Sequence, residues 1–149
     1  MTLTTRLLPL AMVAAWVFGL VVPLLDSGAG SRPRLVVTSL GVPSDPLATR
    51  VVPFVPVCVI VFALALTAWL PRPGRVWSWA AMGAALFLAL TLASLLGDPP
   101  VAIWDGIDEA TGLPIGGMSK AAPTISSLTW FAGCAALFVA GARSMSQPS

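Results

Sequence analysis

Asp105, Asp108 and Glu109 are the densest set of metal-ligating and proton-carrying side chains in this sequence. Carboxylates at such spacing could bind Ca²⁺ through oxygen or exchange a proton as a general acid and base. Their order does not follow the EF-hand loop pattern. Around them the sequence supplies no nucleophile, no metal-binding cluster and no phosphate-cradling glycine loop. With Trp104 beside them, they are read as a solvated loop and a candidate partner-binding element.

Other chemistry is scarcer still. The chain has no histidine, so it cannot by itself offer His-ligated haem, His-based zinc or copper sites, or imidazole acid/base catalysis. Cys58 and Cys134 lie far apart in apolar runs, which is the setting of small buried hydrophobes rather than of a redox pair. The expectation is therefore no catalytic residue, no metal, no cofactor and no enzyme activity.

The elements that would hold these residues belong to a membrane. Hydrophobic residues make up 57% of the 149 positions and charged residues 9%, against about 25% charged in soluble domains. A net charge of +2, spread along the chain, excludes a nucleic-acid binder. Asn, Tyr and His are absent while Ala, Gly, Pro and Arg abound, a coding bias that points to a GC-rich bacterial genome.

Four uncharged stretches, 7–25, 51–70, 76–96 and 124–142, are nineteen to twenty-one residues long. At ~1.5 Å per residue each helix would reach roughly 28–32 Å, enough for the hydrocarbon core. The first is longer than the ~7–15 apolar residues of a signal peptide's core, so it is expected to stay as a span despite Ser27 and Ala29. The expected fold is all-α: a single domain, 1–149, forming an integral membrane four-helix transmembrane bundle. Two longer extracytoplasmic loops, 26–50 and 97–123, and a cytoplasmic hinge, 71–75, connect the spans.

Small residues recur every fourth position within these stretches. Ala81, Ala85, Ala89, Ala93 and Gly97 form one series, Ala132, Ala136 and Ala140 a second, and Ala11, Ala15 and Gly19 a third. On helices these would be bare ridges that let neighbouring helices approach closely in lipid. Pro53 and Pro56 suggest a late or kinked start to the second span. Trp69, Trp77 and Trp79 flank the hinge as an interfacial belt would.

In the loops, residues 35–40 have the β-branched character of a short strand, and Pro43 and Pro46 bracket a turn. Residues 101–109 are read as an amphipathic piece at the membrane surface, with Val101, Trp104 and Ile107 on one side and Trp104 as anchor. Residues 112–117 are read as a turn. Arg6, Arg72, Arg75 and Arg143 would all share one side with no acidic residue, which places both termini in the cytoplasm.

No Asp, Glu, Lys, Arg or His interrupts the four stretches. That argues against a proton-coupled pump or selective ion channel built from this chain alone. The functional expectation is an accessory or assembly subunit of a larger inner-membrane complex, its partners being the lipid bilayer and other transmembrane subunits. The alternative is a small homo-oligomeric transporter, pore or lipid-handling protein.

Overall fold

The computed structural model describes residues 3–29, 34–41, 55–70 and 74–146. The elements run α1 Leu3–Val21, β1 Leu25–Asp26, β2 Val36–Val37, α2 Val55–Thr67, α3 Arg75–Gly97, β3 Val101–Ile107, β4 Pro114–Lys120, β5 Ala122–Pro123 and α4 Ile125–Met145. The all-α expectation is corrected by the two small sheets, one in the order β2-β1-β5 and the other the hairpin β3-β4. The Pro43/Pro46 turn, Pro53, hinge residues 71–73, the tail from 147 and the Cys58 side chain lie outside the described residues.

Three helices, α1, α3 and α4, are long and apolar enough to cross a membrane. Their 19, 23 and 21 residues correspond to roughly 28, 34 and 31 Å. This makes the chain a multi-pass membrane protein in contact with the lipid bilayer. A fourth span of that length is not among the described helices: α2 has 13 residues, roughly 20 Å, and positions 51–54 of the expected span lie outside the described residues.

Sequence chemistry sets the helix ends. The first span was expected to run to Leu25, yet α1 stops at Val21. Pro23 cannot donate to the carbonyl four residues back, that of Gly19. That carbonyl instead accepts the Ser39 N–H at 3.0 Å, and the Ser39 hydroxyl donates to the Trp16 carbonyl at 2.7 Å. Gly19 is what permits this approach, because a Cβ there would lie 2.1 Å from Ser39 Oγ. At the far end of α3, Pro99 and Pro100 end the helix, and Asp98 leaves the helical region at φ −133° and ψ 76°.

Packing centres on α4, which lies against both α1 and α3, while α2 contacts α1 and α3 more sparsely. The buried positions follow alternating steps of four and three: Thr5, Pro9, Met12, Trp16 and Gly19 on α1, and Ser126, Trp130, Gly133, Leu137 and Ala140 on α4. On α3 the same rhythm runs Ser78, Ala81, Ala85, Leu88, Leu92 and Leu95. A repeat of 3.5 keeps one seam facing its neighbour, as in left-handed helix packing.

Two glycines bring α4 close to each neighbour. A Cβ on Gly133 would lie 2.9 Å from Met12 Sδ and 3.0 Å from Met12 Cα on α1. One on Gly141 would lie 2.8 Å from the Ser78 carbonyl oxygen and from Met82 Cγ on α3. The buried hydroxyls of Ser78 and Ser126 find no hydrogen-bond partner among the described residues. Ser78 stands at the Gly141 approach and Ser126 beside Gly19, where a Cβ would lie 3.4 Å from its Oγ, so each acts as a small residue rather than as a donor.

On the α2 side, Trp16 meets Phe62 edge to face at 5.6 Å, and the Trp77 indole N–H donates to the Leu64 carbonyl at 3.1 Å. Trp77 is thus a buried staple between α3 and α2, whereas Trp69 and Trp79 are exposed.

Candidate functional site

At one end of the helices the two sheets form a β layer. β1 follows α1 and pairs antiparallel with β2 and with β5, which leads into α4. The Thr124 N–H donates to the Leu24 carbonyl at 3.0 Å, the Thr124 hydroxyl to the Pro23 carbonyl, and the Ser127 hydroxyl to the Leu24 carbonyl at 2.6 Å. These bonds lash the end of α1 to the start of α4 across a sequence separation of about one hundred residues. Such contacts absorb backbone groups that the end of a helix leaves unpaired.

A second clasp ties Asp26 of β1 to Arg34, two residues before β2. Arg34 donates from Nε to Asp26 Oδ1 at 3.0 Å and from its terminal nitrogen to Oδ2. The Gly28 N–H also donates to Asp26, and with Arg34 it holds the carboxyl below its ordinary range. A depressed folded pKa contributes stability that is present above the unfolded value, about 3.9 for Asp, and is lost as pH falls through the lower folded value. Amide protection at Leu35, whose N–H donates to Ser27 Oγ, is expected to fall in that acid window. In Asp26→Asn it should already be low at neutral pH. Equal protection in the two proteins at neutral pH would show that the clasp contributes nothing.

The hairpin overturns the expectation of an amphipathic surface piece at 101–109 and of a turn at 112–117. β3 and β4 pair in register from Val101↔Lys120 to Ile107↔Pro114, and the turn is Asp108 to Leu113. Residues of the helical grouping, Val101, Trp104 and Ile107, do not share a face, because strand neighbours alternate sides. Two runs of seven, one rich in branched residues and both flanking Asp-Glu-Ala-Thr-Gly, were the available signal for a strand pair.

One face of the hairpin is used at its base. Ala102 and Ser119 are buried, and the Ala121 N–H donates to the Pro100 carbonyl at 3.3 Å. Trp104, half-buried, lies over Gly117, where a Cβ would come within 2.8 Å of the ring. The indole thus covers a glycine gap in its own hairpin, a role different from the membrane anchor expected of it. The opposite face carries Ile103, Ile107 and Met118, which are 64%, 71% and 67% exposed. Ile103 and Met118 are not among the residues singled out by sequence, and Ile107 is, though in a helical grouping with Trp104.

The acids separate by role. Asp108 builds the turn: its carboxylate accepts the Ala110 N–H at 2.9 Å, its carbonyl the Gly112 N–H at 2.7 Å, and Gly112 takes φ +66°. The Ala110 N–H, and after it the Thr111 side chain, lower the Asp108 pKa from its ordinary value. Asp105 and Glu109 are exposed. Among the described residues no group of three or more His, Cys, Asp or Glu is placed to hold a metal ion.

The small-residue series are divided by the structure. Ala81, Ala85, Ala15, Gly19 and Ala140 are buried, Ala89 and Ala136 half-buried, and Ala93, Gly97, Ala11 and Ala132 exposed. The exposed side of α3 forms, with α2, an apolar groove of about 370 Å³ lined by Ile60, Ala80, Gly83, Ala84, Phe87 and Leu88.

No family model, no curated protein and no solved structure matches this chain.

Proposed function

We propose that this protein is an accessory or assembly subunit of a larger inner-membrane complex, with α2 completing a four-span bundle and both termini in the cytoplasm. The observation that carries the reading is the hairpin. An element with an apolar face left bare stands at one end of the membrane-crossing helices. A two-stranded hairpin is marginal in water without a covering layer, so the bare face suits a protein built to be covered. The orientation is supported by charge. Among the described residues Arg6, Arg75 and Arg143 sit at the opposite end with no acid, while the β end holds two cations, Arg34 and Lys120, with Asp26, Asp98, Asp105, Asp108 and Glu109.

Mild detergent extraction of the tagged full chain from its native membrane tests this reading. Other membrane polypeptides are expected to co-elute in fixed ratio. A monomer that brings no polypeptide with it would end the proposal. The lipid-handling alternative draws on the α2/α3 groove, whose apolar lining matches an acyl chain. The same preparation reads it out, as phospholipid retained in fixed ratio through washing in place of protein.

A further inference from the structure

We infer that the Ile103/Ile107/Met118 face of the hairpin is the docking surface, and that its occupant is a protein whose contact patch is apolar and rimmed by Lys or Arg. The inference rests on the subunit reading above and names the chemistry of the partner. Its first support is the gradient of burial along the hairpin. The base is fixed by Ala102 and Ser119 at 0% and 7% exposure, while the outer half is bare on one face. Each strand has seven residues, a reach of roughly 23 Å at ~3.3 Å per residue. Neither strand has a second strand beside it among the described residues.

Charge selects among the possible occupants. From Asp98 to Lys120 the chain carries four acids (Asp98, Asp105, Asp108 and Glu109) against one lysine, a balance of −3. Asp105 lies on the bare face itself, in phase with Ile103 and Ile107, while Lys120, paired with Val101, is on that face at the base, away from the acids of the outer half. A second copy of the chain would bring the same negative surface against this one. An anionic bilayer surface would be repelled in the same way. Among the described residues the other acid of the β end, Asp26, is paired with Arg34, so that cation does not offset the field of the hairpin. A basic rim on the partner satisfies the acids while its apolar centre covers the isoleucines and the methionine, the arrangement of core and rim seen in protein interfaces.

The experiment places a photoreactive benzophenone amino acid at Ile103 in the full chain and irradiates native membranes. A matching label at Leu90, which is 68% exposed on the membrane-crossing α3, is the control. The Ile103 label is expected to give one discrete protein adduct that the Leu90 label does not, with the linked peptide lying beside Lys or Arg residues. Asp105→Lys with Glu109→Lys is expected to lower the adduct yield about tenfold. Asp108 is left in place because it holds the turn. Raising salt from 0.1 to 1 M should lower the yield of the unaltered hairpin severalfold, a readout that needs no charge substitution. An adduct of twice the chain mass, an adduct to lipid alone, no adduct, or a yield indifferent to both charge and salt would overturn the inference. Polypeptides that still co-elute with the charge-reversed chain would leave the subunit reading standing and remove only the hairpin's part in it.

Discussion

Gly133→Leu is expected to separate α1 from α4 and to destabilise the protein by roughly 3 kcal/mol, the upper part of the range for overpacked cores. The first atom added already collides. A Cβ would meet Met12 Sδ at 2.9 Å, Met12 Cα at 3.0 Å and the Ala15 methyl at 3.0 Å. Sulfur on a flexible side chain can swing aside, but the Cα of Met12 moves only if the whole helix does. Gly83→Leu is the paired control on α3. A Cβ there has nothing within 4 Å, and the new side chain enters the apolar groove between α2 and α3. Its effect should stay within about 0.5 kcal/mol. Unfolding of both variants in detergent micelles, followed by tryptophan fluorescence, compares them directly. Equal midpoints would mean that the α1/α4 approach is not what holds the helices together.

That contrast also marks how far the fold was legible in the sequence. Length and absence of charge located α1, α3 and α4, because a bilayer imposes both requirements. The small-residue ridges were read with a repeat of four, whereas the helices pack with a repeat of 3.5. Each step of four residues turns a helix 40° past a full turn, so from Ala81 to Gly97 the ridge rotates by about 160°. It therefore begins buried at Ala81 and Ala85, passes through half-buried Ala89 and leaves the contact at Ala93 and Gly97. The seam passes instead to Leu88, Leu92 and Leu95. On α4 the closest approaches belong to Gly133 and Gly141, which lie off the Ala132/Ala136/Ala140 series.

The candidate site was half legible. Trp104, Asp105, Asp108 and Glu109 do belong to one element outside the membrane-crossing helices, but a helical period grouped the wrong residues around them. Ile103 and Ile107 are two pairs of alternation apart, a relation that matters only on a strand. Asp108 looked like a ligand and is occupied as a turn former. Sequence composition cannot distinguish those roles, because Asp is favoured in turns for the same acceptor oxygens that make it a ligand. The lash of Thr124 and Ser127 to the end of α1 was likewise out of reach, since nothing local links residues so distant along the chain.

Trp130→Ala carries the second large effect, and its size says what solvent the helices fold in. Trp130 is fully buried in the seam of α4 and is the largest of the fully buried side chains. In a water-soluble core, Trp→Ala costs about 3–5 kcal/mol, because apolar transfer and an unfilled cavity add together. Between lipid and a protein interior the transfer part nearly vanishes, since acyl chains are as apolar as leucine. What remains is the packing lost around the cavity, and the expected cost is about 2–3 kcal/mol. Trp79, 64% exposed on α3, is the reference: Trp79→Ala should cost less than about 0.5 kcal/mol. The measurement is reversible unfolding in bilayer-like bicelles, with Trp130→Phe added to separate loss of volume from loss of aromatic contact. Trp130→Phe should recover more than half of the deficit, because the ring refills most of the cavity. A loss for Trp130→Ala as small as that for Trp79→Ala would deny α4 its central place. A loss at the full soluble-core value would instead mean that the unfolded reference state leaves the lipid for water.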